Sequence, residues 1–79
     1  MELIVLSQEG CNPCIAVKNL LASEEVDHQL IDVHENPEVA AKYGVMSTPV
    51  ILLVDEKGEV VERSRGFNPA ELENMISKL

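Results

Sequence analysis

Seventy-nine residues make one expected domain, 1–79, and a chain this short buries only about 60% of its unfolded surface, so its core must be compact. Fourteen acidic residues against six basic ones give a net charge of −8, which excludes nucleic acid and anionic membrane as expected partners, since both need a positive face. With Tyr43 and Phe67 the only aromatics, the core falls to Leu, Ile, Val and Met. No repeat, low-complexity tract or linker divides the chain.

In chain order, Leu3-Ile4-Val5-Leu6 is a continuous apolar run, the pattern of a strand covered on both faces. It lacks the basic flank and length of a signal peptide, and no segment reaches the roughly 20 apolar residues of a membrane span. The expected address is therefore the cytoplasm, and the expected state a monomer. A helix should start near Cys11 and run to about Ser23, with Val17, Leu20 and Leu21 facing inward. Gln29–Val33 is mixed in polarity and reads as an edge strand. Asn36-Pro37 looks like an N-cap followed by proline in the first turn, and Gly44 is a natural stop for that helix.

Val50–Val54 is a second fully apolar run and a second central strand. Asp55-Glu56-Lys57-Gly58 is a hairpin turn leading into Glu59–Ser64, a more polar edge strand. Asn68-Pro69, with Glu71 three residues after Asn68, resembles a capping box. Leu72, Met75, Ile76 and Leu79 then form one stripe of an amphipathic helix. The predicted order is β-α-β-α-β-β-α: an α/β fold with a four-stranded mixed sheet, its first and third strands central, and helices on both faces. The first β-α-β unit should cross over right-handed.

Cys11-Asn12-Pro13-Cys14 falls where the first strand gives way to the first helix. Unpaired N–H groups of a first helical turn, together with the helix dipole, favour thiolate over thiol, and such sites lower a cysteine pKa to roughly 3.5–7.5. Cys11 is then the exposed nucleophile of a disulfide exchange, and Cys14, deeper in the helix, the thiol that resolves the mixed disulfide. A structural staple is disfavoured, because so short a loop constrains the unfolded chain little and the cytosol keeps thiols reduced. Zinc competes more seriously, since Cys11, Cys14, His28 and His34 satisfy a loose zinc-finger spacing. However, the two histidines flank a predicted strand, and six extended residues span about 20 Å. Far along the chain, Ser47-Thr48-Pro49 directly precedes a central strand. Residue chemistry alone reads Pro49 as a trans proline tolerated at a strand start.

The strand–CxxC–helix opening, Thr48-Pro49 ahead of a strand, the hairpin, Gly66 and the closing helix together resemble the thioredoxin/glutaredoxin superfamily over nearly the whole chain. Lys42-Tyr43-Gly44-Val45-Met46-Ser47-Thr48-Pro49-Val50 is similar to the thioredoxin stretch before its cis-proline. The resemblance implies a thioredoxin-like fold, a cis bond at Pro49, and Cys11 and Cys14 as nucleophile and resolving thiol. It also implies a substrate groove of Asn12, Pro13, Ser47, Thr48, Pro49, Gly66 and Phe67. The implied activity is reduction of protein disulfides with no cofactor beyond the redox-active Cys11–Cys14 disulfide, recycled by a thioredoxin reductase-like flavoenzyme.

The resemblance has limits. Thioredoxins usually place Trp before the first cysteine and Gly after it, where this chain has Gly10 and Asn12. Their buried acid, six residues before that cysteine, falls on Val5, and its accompanying lysine falls near His28; neither role is carried over. Cys14-x-Ala16-x-Lys18-x-x-Leu21 and Gly66-Phe67-Asn68-Pro69 look more like the glutaredoxin-like redoxins that serve ribonucleotide reductase, making that enzyme an implied partner. Small redoxins of this mixed type resemble those of phages and prophages. Arg65-Gly66-Phe67-Asn68 lacks the Gly-Gly-x-Asp-like turn of glutaredoxins, so the resemblance does not extend to glutathione use. The alternative from another class is a metal or iron–sulfur carrier using the cysteine pair as half of a site shared between subunits.

Overall fold

A computed structural model describes all 79 residues. Its elements are β1 (Glu2–Ser7), α1 (Asn12–Ser23), β2 (Gln29–Asp32), α2 (Pro37–Tyr43), β3 (Val50–Val54), β4 (Val60–Arg65) and α3 (Pro69–Ile76). One four-stranded sheet has the order β2-β1-β3-β4. β1 runs parallel to β2 and antiparallel to β3, and β4 returns antiparallel to β3. This is the predicted α/β architecture, with both apolar runs at its centre.

Those runs are unbroken because side chains alternate across a strand and both faces here are covered. Leu3 pairs with Leu53 and Val5 with Ile51, and these four meet Val17 and Leu21 of α1 and Leu72 and Met75 of α3. On the other face Ile4, Leu6, Val50, Leu52 and Val54 pack beneath Val39 and Tyr43 of α2, with Ile31, Val33 and Val45 closing the margin. Leu20 is only partly buried at the rim of the α1 layer.

The helix ends depart from the expected capping in instructive ways. Asn36 precedes α2 at the cap position, but its side chain makes no capping bond and instead donates to the Asp32 carbonyl at 3.0 Å. Asn68 does cap α3, its Oδ1 accepting the Glu71 N–H at 3.2 Å. Glu71 gives no reciprocal bond, because its carboxylate accepts the buried Ser64 hydroxyl at 2.7 Å. α3 ends at Ile76, so Leu79, expected on its apolar stripe, lies beyond the helix and is 49% exposed.

The C-terminus of α2 is closed by Gly44 at φ 65° and by Arg63, whose guanidinium donates to the carbonyls of Tyr43 (2.7 Å) and Gly44 (3.4 Å). The hairpin turn forms as predicted, with Asp55 Oδ1 accepting the N–H groups of Lys57 and Glu59 at 2.9 and 3.0 Å. A register shift between Leu53 and Val54 offsets the start of β4 to Val60.

α1 stops without glycine or proline. Glu25 takes the left-handed conformation (φ 53°), and the N–H of Val26 closes on the Leu21 carbonyl at 2.9 Å. A side chain in that region costs about 1 kcal/mol, a cost glycine avoids. Replacing Glu25 with Gly should therefore stabilise the fold by about 0.5–1 kcal/mol, seen as a rise of a few degrees in Tm. An unchanged or lower Tm would contradict this reading.

Glu24, at the same helix end, is hydrogen-bonded to Glu73 of α3. That bond, with some desolvation and the repulsion of the second carboxylate, raises the Glu24 pKa above its ordinary value. The folded chain thus holds this proton to higher pH than the unfolded chain. The associated stability is complete below the ordinary glutamate range and is lost as pH rises through the raised value. Glu73→Gln should accordingly raise Tm at neutral pH, with the advantage fading toward about pH 4 in melts across that range.

Candidate active site

Cys11 occupies the N-cap of α1, reached through a turn in which Gly10 adopts φ 79°, a region that favours glycine. Its Sγ accepts the backbone N–H of Cys14 at 3.2 Å, and its carbonyl accepts the N–H of Ile15 at 3.2 Å. A sulfur thus stands where a capping oxygen ordinarily would, facing the unpaired donors of a first helical turn. Pro13 suits that turn because no N–H is needed there.

Cys11 and Cys14 are joined as a disulfide, with Cα atoms 5.2 Å apart. Cys14 is wholly buried, and Cys11 is only 8% exposed. This corrects the expectation of an open Cys11, since the disulfide draws its sulfur over the helix tip toward Cys14. Asn12 and Pro13 remain exposed between them.

The pairing of Leu6 with Val50 brings two other loops to the same end of the sheet. Thr48–Pro49 is cis, as the family resemblance implies and residue chemistry alone does not. The Pro49 carbonyl accepts the N–H of Gly66 at 2.9 Å, and Gly66 turns with φ 69°. Residues 8–11, 46–49 and 66–68 therefore converge, and together with the first turn of α1, which holds Asn12, Pro13 and Cys14, they carry every expected site residue. The backbone N–H and C=O groups of residues 46–48 enter none of the internal hydrogen bonds, and Thr48 Oγ1 is buried without a partner. Phe67 is half-exposed, and Met46 is 99% exposed. Met46 escaped sequence reasoning; its one signal was its place in the chain, directly ahead of Ser47-Thr48-Pro49.

The only polar residues buried are Ser7 and Ser64. Apart from the cysteines themselves, then, no ionisable side chain lies in the interior, and the sheet beneath α1 presents Leu3, Val5, Ile51 and Leu53. His28 and His34 stand at opposite ends of β2. His28 Nδ1 is 2.9 Å from the Val26 carbonyl, and His34 Nε2 is 2.9 Å from Gln8 Oε1. The largest cleft, about 650 Å³ between Met1, Val26, His28 and Ile76, opens at the sheet end away from the cysteines. No helix is long and apolar enough to cross a membrane.

A thioredoxin-domain family profile matches residues 1–77. The chain belongs to the thioredoxin family. It is 46% identical over 79 residues to the SPbeta prophage-derived thioredoxin-like protein YosR of Bacillus subtilis (strain 168), covering 100% of this chain and 99% of that one. It is 44% identical over 77 residues to thioredoxin of the same organism, covering 86% of this chain and 71% of that one. Among solved structures it is similar to thioredoxin 1 of Thermosipho africanus TCF52B, with a TM-score of 0.77, 25% identity and coverage of 99% and 92% of the two chains. It is also similar to oxidised mitochondrial thioredoxin 3 of Saccharomyces cerevisiae, with a TM-score of 0.79, 28% identity and coverage of 98% and 76%. Like other thioredoxins carrying the Cys-x-x-Cys pair, the protein is a thiol–disulfide oxidoreductase acting on protein disulfides.

Proposed function

We propose that the chain works as one thioredoxin-like domain, a cytoplasmic monomer that reduces protein disulfides with Cys11 as nucleophile and Cys14 as resolving thiol. The observation that carries this reading is the bond from the Cys14 N–H to Cys11 Sγ, because the donor that caps the sulfur also stabilises a thiolate there. In the dithiol form, the Cys11 thiolate attacks one sulfur of a substrate disulfide; a Cys11–substrate bond forms and the other substrate sulfur leaves as thiolate. Cys14, losing its proton, attacks Cys11 Sγ and closes the internal disulfide, expelling the second substrate thiolate. Two electrons pass to the substrate, and two protons complete its thiols. No cofactor beyond the Cys11–Cys14 disulfide takes part.

Asn12, Pro13, Ser47, Thr48, Pro49, Gly66 and Phe67 form the substrate groove in this reading. The unpaired backbone of Thr48 supports it, offering a donor and an acceptor to an extended segment. A thioredoxin reductase-like flavoenzyme returns the disulfide to the dithiol. The Lys18 and Gly66-Phe67-Asn68-Pro69 likeness to glutaredoxin-like redoxins points to ribonucleotide reductase as the protein served. The prophage derivation of the 46%-identical relative suits a small redoxin of that kind.

In dithiothreitol-driven insulin reduction, Cys11→Ser should abolish turnover. Cys14→Ser should instead accumulate a covalent adduct that dithiothreitol releases. Full turnover by Cys11→Ser would overturn the assignment. Capture with Cys14→Ser of a protein other than ribonucleotide reductase, to its exclusion, would overturn the narrower one.

A further inference from the structure

Six basic residues serve a chain of net charge −8, and two of them meet beside the converging loops. Arg63 pairs in register with Leu52 and Arg65 with Val50, so both lie on the α2 face of β4. With Gly44, Met46, Ser47 and Val50 they line a depression of about 60 Å³. No carboxylate lines it. The one ion pair of the chain joins Lys78 to Glu62, outside this depression. Arg63 is held by the Tyr43 and Gly44 carbonyls, while the exposed guanidinium of Arg65 enters no side-chain hydrogen bond or ion pair. A guanidinium carries five donors, and those Arg63 does not use remain available with all of those on Arg65.

The depression adjoins the segment 46–48, whose backbone groups are unpaired. An extended substrate segment paired there would present alternate side chains to the same side. A space of this size holds about two waters' share of liquid volume, which suits a carboxylate group.

We propose that Arg65, with Arg63 and Ser47, forms a specificity-determining subsite that receives an Asp or Glu side chain from the disulfide-bearing segment of the protein substrate. The proposal rests on the exchange reading above and extends it to substrate choice. The net negative charge disfavours an acidic segment elsewhere on the surface, so one cationic spot decides where an acid can lie. The subsite thereby sets the register of the segment over Cys11.

The test uses two synthetic peptides with one internal disulfide each, identical except that Glu or Lys flanks the cysteines. The readout is the ratio of their kcat/KM values for each protein, so losses common to both peptides cancel. The wild type should favour the Glu peptide by about three- to fivefold, the range of a partly exposed ion pair. Arg65→Gln should bring the ratio near one, and Arg65→Glu should invert it. Lys57→Glu makes the same change in net charge on the distant hairpin turn and should leave the ratio at the wild-type value. A wild-type ratio of one, or equal effects of Arg65→Glu and Lys57→Glu, would overturn the subsite while leaving the exchange reading intact. Reduction of neither peptide by the wild type would sink both.

Discussion

The antiparallel pairing of β1 with β3 is the constraint on which the rest of the molecule depends. By setting Leu6 opposite Val50, it fixes where both strands end. The turn into Cys11 and the segment ending at Pro49 then open on the same edge of the sheet, although nearly forty residues separate them in sequence. β4 follows β3 through a short hairpin, so Gly66 arrives at that edge as well and closes on the Pro49 carbonyl. A slip of one residue in this register would exchange the two faces of β1 and β3. Leu3 and Val5 would leave the layer of α1 and α3, and the strand ends that carry the cysteine turn and Pro49 would no longer be aligned. The apolar packing on both faces is thus also what aligns the site.

The electrostatics of that site come from backbone. Sγ of Cys11 sits at a helix N-terminus and accepts an N–H bond, and no charged side chain is buried anywhere near it. Burying a charge without a partner is costly, whereas the orphan donors of a helix end are present in any helix and add positive potential without desolvating an ion. A small core of aliphatic residues can therefore carry reactive chemistry without a buried acid. The position at which the family resemblance implies a buried acid is filled by Val5, which contributes to packing instead.

Much of this was legible in the sequence, and the parts that were not share a cause. The central strands announced themselves because a strand covered on both faces must be apolar at every position. The Asn68 cap was readable because its bonds are local. The Asn36 cap was not, since the Asp32 carbonyl, supplied by the end of β2, competes for its side chain. Glu71 likewise leaves the expected reciprocal bond for Ser64, a partner that only the β4–α3 packing brings near. The left-handed turn at Glu25 has no glycine to mark it. The cysteine pair stood out by spacing, but the exposure of Met46 and the meeting of Arg63 with Arg65 arise from loop course and strand register, which no local pattern encodes. The cis geometry at Pro49 became readable only through the family resemblance.

The two outer strands have a consequence for how the protein meets other chains. β2 is only four residues long, and β4 carries Glu62, Arg63 and Arg65 along a path interrupted by a register shift. Short, charged and irregular edges resist the addition of foreign strands. The segment 46–48, by contrast, offers unpaired backbone groups directly ahead of β3. Both flanks of the sheet are thereby closed to an added strand, and the one short stretch of open backbone lies at the end of the sheet that carries the cysteines.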